Sequence, residues 1–133
     1  LFSIDRTLTT SEDHELWLRM AAQYPLKINK VVCAKLIQHN TRSISTLNKC
    51  VLINGKELAL KLTLSNPLNA KFIVGHEGII KSSSYSYISL HLALAGKYKK
   101  ETISYAIKAI KNHFAFLFTR RFLAIIKHLI FTY

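Results

Sequence analysis

Acidic side chains are scarce in this chain: seven Asp and Glu stand against nineteen Lys and Arg, giving a formal net charge of +12 over 133 residues. The cations are scattered along the sequence, and neither a recognition helix nor an aromatic stacking signature accompanies them. The charge therefore specifies no particular nucleic-acid sequence, although affinity for polyanions in general follows from it. Two cysteines, Cys33 and Cys50, exclude a disulfide scaffold and read as buried free thiols in a reducing compartment. Only four glycines and two prolines occur, so long stretches are free to be helical. No Gly-rich phosphate loop, Asp-x-Asp pair, Cys cluster or Gly-x-Ser-x-Gly elbow is found. A self-sufficient nucleotide-binding or serine-hydrolase centre is thereby excluded from these residues.

What is present is half hydrophobic, well above a disordered composition and enough for one core. The run Ser11-Glu12-Asp13-His14-Glu15-Leu16-Trp17-Leu18-Arg19 opens a predicted helix, with Leu16, Trp17, Met20 and Ala21 at helical spacing. Glu15 and Arg19 form an i,i+4 pair, and Tyr24-Pro25 ends the helix. The Val- and Ile-rich stretch 27–39 predicts a strand or two short ones. By spacing alone, Thr10-x-x-Asp13 is a capping box, and Glu12 and Asp13 complement the helix dipole.

The order of these pieces resembles the family 2, GT-A type glycosyltransferases, in the part of the catalytic domain that follows the metal-binding motif. The residues carrying the likeness are Phe2 and Ile4-Asp5, then SEDHELWLR, then Ala21-Ala22-Gln23-Tyr24-Pro25, then Gln38-His39-Asn40-Thr41-Arg42-Ser43-Ile44-Ser45. The resemblance implies that Asp13, with Glu12 beside it, is the catalytic base that takes a proton from the acceptor hydroxyl. An inverting transfer needs one such carboxylate, because a nucleoside diphosphate leaves without a second acid. It further implies that Trp17 lines the acceptor pocket, although a Trp on an apolar helix face is also an ordinary core residue. His39 would approach the metal or donor diphosphate, and Arg42 and Ser43 would contact phosphate. Solvated loop positions and a helix cap at Ser43 are the plainer reading of those residues.

The implied partners are a nucleotide-sugar donor and a glycan or lipid-linked acceptor, with a divalent ion, Mg or Mn, held mainly by upstream residues. The setting is bacterial surface polysaccharide synthesis, in the cytoplasm or at the inner face of its membrane. Because the chain begins at Leu1 just before the ED pair, the expectation is a fragment, inactive alone. Residues 1–45 would be the acceptor-side end of a GT-A domain and 46–133 a helical C-terminal region. The expected class is mainly α: a helix and short strand from an α/β domain, followed by a helical bundle. The alternative is a helical interaction module or basic nucleic-acid-binding domain without catalytic activity.

After Ser45 the pattern is helical. Ile44, Leu47, Val51, Leu58 and Leu62 predict one face of a long helix interrupted at Gly55 and stopped by Asn66-Pro67. Residues 68–77 read as a linker. A helix over 79–95 with Ile80, Tyr87, Ile88 and Leu92 inward ends at Gly96, and one over 98–112 places Ile103, Ala106, Ile107 and Ile110 inward. Leu94 to Tyr98, with Tyr105 and Ala109-Ile110, resembles a single tetratricopeptide-type hairpin. The segment 114–133 sets Arg120, Arg121, Lys127 and His128 on one side, opposite Phe116, Phe118, Leu123, Ile126 and Ile130. It predicts either a membrane-surface helix or the last helix of the bundle. Its central charges argue against a transmembrane span.

Overall fold

The computed structural model describes residues 8, 11–28, 30–31 and 48–131. Among them the protein is mainly helical and contains no strand. Six helices follow one another: α1 (Glu12–Gln23), α2 (Lys49–Ser65), α3 (Ala70–Ile73), α4 (Glu77–Leu94), α5 (Lys99–Asn112) and α6 (Arg120–Phe131). Short 3₁₀ turns at Pro67–Asn69 and Phe114–Phe118 precede α3 and α6. Of the stretch expected as a strand, residues 27, 28, 30 and 31 are irregular and exposed. Its remainder, with Cys33, lies outside the described residues.

The most extensive packing is between α4 and α5, which form an antiparallel hairpin. Its register is fixed by three pairs: Gly78 beside Asn112, Tyr85 against Tyr105 with ring centroids 6.0 Å apart, and the buried Ser89 hydroxyl donating to the Thr102 carbonyl at 2.8 Å. Small side chains make this approach possible. Ser82, Ser86, Ser89 and Ala93 are buried along α4, and Thr102, Ala106 and Ala109 along α5. The expected α5 face is therefore displaced: Ala106 and Ile110 turn inward, but Ile103 and Ile107 remain about half exposed at 48% and 46%. Close backbone approach, rather than the bulk of the apolar side chains, decides which stripe faces inward. Gly96, at φ +69°, donates its N–H to the Ala93 carbonyl and ends α4 in the left-handed cap expected there.

The same selection operates on α2. Leu52, Gly55, Lys56, Ala59, Leu60 and Thr63 are buried, while Val51 is exposed. Gly55 does not interrupt the helix and is buried within it. Apolar residues surround α2 almost completely, so the sequence pattern alone leaves its orientation open. Asn48 caps its start by accepting from the Cys50 N–H at 2.8 Å, and the Cys50 thiol is exposed rather than buried. A Lys49–Glu101 ion pair at 2.6 Å ties this end to the first turn of α5. The supposed linker 68–77 holds the short α3, and the Asn69 side chain donates back to the Thr63 carbonyl at 3.2 Å.

Two core clusters result. One joins Leu52 of α2, Ile88 and Leu92 of α4 and Tyr105 of α5. The other joins Ala109 of α5, Phe116 of the 3₁₀ turn and Ile125 of α6, with Phe122, Leu129 and Ile110 packed against it. Thr119 separates that turn from α6, so 114–131 is not one continuous helix. The bundle-facing side of α6 is Phe122, Ile125 and Leu129, whereas Leu123, Ile126 and Ile130 remain exposed. No helix among the described residues is long and apolar enough to cross a membrane.

A Cβ built on Gly78 would lie 2.5 Å from the Asn112 carbonyl oxygen, a backbone atom that cannot swing aside. Gly78→Ala therefore sets about 1 kcal/mol of improved helix propensity against about 1–3 kcal/mol of overpacking. We expect a net loss, read as a lower melting temperature by circular dichroism. A higher melting temperature would show that the α4–α5 approach is looser than described.

Candidate functional site

The acid pair lies at the start of α1. Ser11 occupies the N-cap position and donates its N–H to the Leu8 carbonyl at 2.8 Å, so the helix begins one residue later than a Thr10–Asp13 capping box requires. Asp13 sits in the first turn with its carboxylate exposed, accepting from the His14 N–H at 2.7 Å. That bond fixes the carboxylate near the positive end of the helix, as any first-turn acid would be fixed. Trp17, one turn on and hence on the same side, is 63% exposed, which overturns a core placement for it. Met20 is exposed as well. The N-cap Ser11 is buried, and of the described α1 side chains Glu15 is buried as well, tolerated there because Arg19 forks onto both its oxygens at 2.7 and 3.1 Å. Arg19 thus pairs with Glu15 as its spacing predicts. Glu12 is the first residue of α1, and nothing is described of its side chain. His39, Arg42 and Ser43 lie outside the described residues.

Next to this end of α1 is a polar seam with α2 and α4 that the sequence reading did not single out. The buried Lys56 directs its ammonium over the Tyr87 ring, 4.3 Å from the centroid, and the Tyr87 and His91 rings are 4.2 Å apart. Such a cation over an aromatic face is stabilised electrostatically where water is partly excluded. Burial, then the Lys56 cation, then Arg121 hold the His91 pKa below the ordinary histidine value. His14 is exposed at the surface yet partly shielded by the protein. Its pKa is lowered by that burial and by Lys56, against the opposing pull of Asp13. Lys56 thus lies close enough to influence both His14 of α1 and His91 of α4. The signals in sequence are weak: two histidines and a lysine on three separate helices, without a shared spacing.

A second polar feature is a cavity of about 510 Å³ between α4 and the start of α6, lined in part by Ser82, Ser83, Ser86, His113, Arg120 and Arg121. Arg121 donates to the Ser86 hydroxyl at 2.9 Å and to the Ser83 carbonyl at 3.3 Å. Cations and hydroxyls suit an anion, and no carboxylate lines the cavity to act as a base. Neither Asp13 nor Trp17 borders it. Among the described residues no cluster of His, Cys, Asp and Glu could hold a metal ion.

No protein-family model, curated protein or solved structure matches the chain.

The lowered pKa values of His14 and His91 have a thermodynamic consequence. A histidine depressed on folding resists protonation only in the folded state, so the unfolded chain binds more protons below its own pKa near 6.5. Stability is full above that value and falls as the pH drops through it toward the folded-state pKa. The urea midpoint should therefore decrease between about pH 7.5 and about pH 5.5, and His91→Gln should flatten the slope. A midpoint that rises on acidification in this window would contradict the assignment.

Proposed function

We propose that this chain is the acceptor-side portion of an inverting family 2 glycosyltransferase, moving a sugar from a nucleotide-sugar to a glycan or lipid-linked acceptor. The observation that supports it is the pairing on one side of α1 of an exposed, oriented carboxylate, Asp13, with an exposed indole, Trp17. A carboxylate in that position accepts the proton of an attacking sugar hydroxyl, and a flat aromatic face beside it suits the apolar face of a sugar ring. The part-buried Glu15–Arg19 pair braces α1 internally, and α1 packs on α2 and the Pro67–Asn69 turn with Asp13 left at the surface. The donor and its divalent ion, Mg or Mn, fall to residues beyond those described, His39, Arg42 and Ser43 among the candidates. A helical interaction module explains the bundle equally well but gives no role to the exposed acid and indole.

The test is Asp13→Asn in the enzyme that carries this chain together with a nucleotide-binding half. The amide keeps the shape and cannot take a proton, so turnover should fall by roughly two to four powers of ten with donor affinity unchanged. Near-normal turnover by the folded variant would reduce Asp13 to a helix-terminal acid.

A further inference from the structure

We infer that the outer face of the α5–α6 pair is a docking surface for an anionic lipid membrane. The inference stands independently of the glycosyltransferase reading. It rests on how α6 is rotated. Arg121 reaches Ser83 and Ser86, so its flank of α6 faces α4, and His128 lines a small cavity with Leu92 and Ala93 of α4 and with Lys99 and Thr102 of α5. Phe122, Ile125 and Leu129 face the core. By the helical period, Leu123, Ile126 and Ile130 then occupy the flank away from α4. Leu129, next to this flank, borders Lys99 and Thr102 of α5, and Ile110 of α5 packs against the same core cluster, so the flank lies on the α5 side of the bundle.

Ile103 and Ile107 precede Ile110 at spacings of four and three residues and continue that strip along α5. The two helices together expose an apolar band: Ile103 at 48%, Ile107 at 46%, Leu123 at 65%, Ile126 at 37% and Ile130 at 54%. Isolated exposed apolar residues are ordinary, but a band shared by two adjacent helices marks an interaction surface.

Charge identifies the occupant. Lys100 and Lys111 border the band on α5, Lys127 borders it on α6, and Arg120 stands at the start of α6 between the band and the cavity beside α4; all four are exposed. The chain carries no Asp or Glu after Glu101, whose carboxylate is turned to Lys49 of α2. An apolar strip rimmed on both edges by cations and free of carboxylates matches acyl chains below and anionic headgroups around them. Duplex nucleic acid would use the cations and leave the isoleucines without a counterpart. A second copy of the chain would bring the same positive rim against itself.

The experiment is co-sedimentation of the chain with vesicles of equal phosphatidylglycerol and phosphatidylcholine, and with phosphatidylcholine alone. Binding to the anionic vesicles only is expected. The variant K100Q/K111Q/R120Q/K127Q should lose roughly two to three powers of ten in partitioning, about fivefold per cation. The variant I107S/L123S/I130S should keep its helical circular dichroism, since these side chains are exposed, and lose at least about tenfold. Binding to neutral vesicles as strong as to anionic ones, or survival of the quadruple substitution, would overturn the proposal. So would a concentration-dependent dimer in sedimentation equilibrium abolished by I107S/L123S/I130S, which would assign the band to a second copy. Duplex DNA binding as tight as vesicle binding and indifferent to I107S/L123S/I130S would assign the cations to a polyanion instead.

Discussion

Everything in this bundle is arranged around one close approach, that of the α4 and α5 backbones. At Gly78 no side chain fits between the helix and the Asn112 carbonyl. Further along, the Ser89 hydroxyl spans the gap to the Thr102 carbonyl, supplying a direct bond where a larger side chain would have wedged the helices apart. Once small residues occupy the facing stripes, the bulky ones must go elsewhere. Tyr105, Ile88 and Leu92 turn toward α2 and build one core, while Ala109, Phe116 and Ile125 build the other beneath α6. Ile103 and Ile107 are left on the outside. The exposed band on α5 and α6 is thus a consequence of how tightly α4 and α5 pack.

The same hairpin carries the seam that reaches α1. Tyr87 and His91 project from α4 toward Lys56 of α2, and Lys56 in turn depresses the basicity of His14 beside Asp13. A buried ammonium is costly unless it has partners, and the Tyr87 face is one that α4 provides. α1 itself packs on α2 and on the Pro67–Asn69 turn, while the Asp13 carboxylate and the Trp17 indole stay at the surface. Under the proposed function, an accessible acid on a packed helix would serve as the general base on the acceptor side.

Most helix positions were legible in the sequence because they depend on local signals, although the short α3 and the break at Thr119 were not. Tyr24-Pro25, Asn66-Pro67 and Gly96 end helices where their backbone preferences say they must. Helix orientation was much less legible. On α2 apolar residues lie on nearly every side, and on α5 the larger isoleucines compete with the smaller Thr102, Ala106 and Ala109, so counting hydrophobic side chains selects the wrong stripe. Cys50 was read as interior for the same reason, residue type outweighing position, and Trp17 stood between a pocket and a core placement; both are exposed. The Glu15–Arg19 pair was readable because i,i+4 spacing brings two side chains together whatever the tertiary structure. The Lys56, Tyr87 and His91 cluster was not, since its members meet only after three helices have packed. Of the candidate site, Asp13 and Trp17 share a side of α1 as helical spacing dictates, whereas His39, Arg42 and Ser43 lie outside the described residues.

Native-state hydrogen exchange as a function of low denaturant measures the claim that the α4–α5 hairpin organises the rest. Amides over 86–92 and 105–109 should exchange last, through an opening whose free energy and denaturant slope match those of global unfolding. Amides of α1 and α6 should exchange through smaller openings at lower free energy. If α6 or α1 outlasted the hairpin, or if the hairpin amides exchanged through an opening smaller than the global one, the small-residue contact would not be the element on which the structure depends.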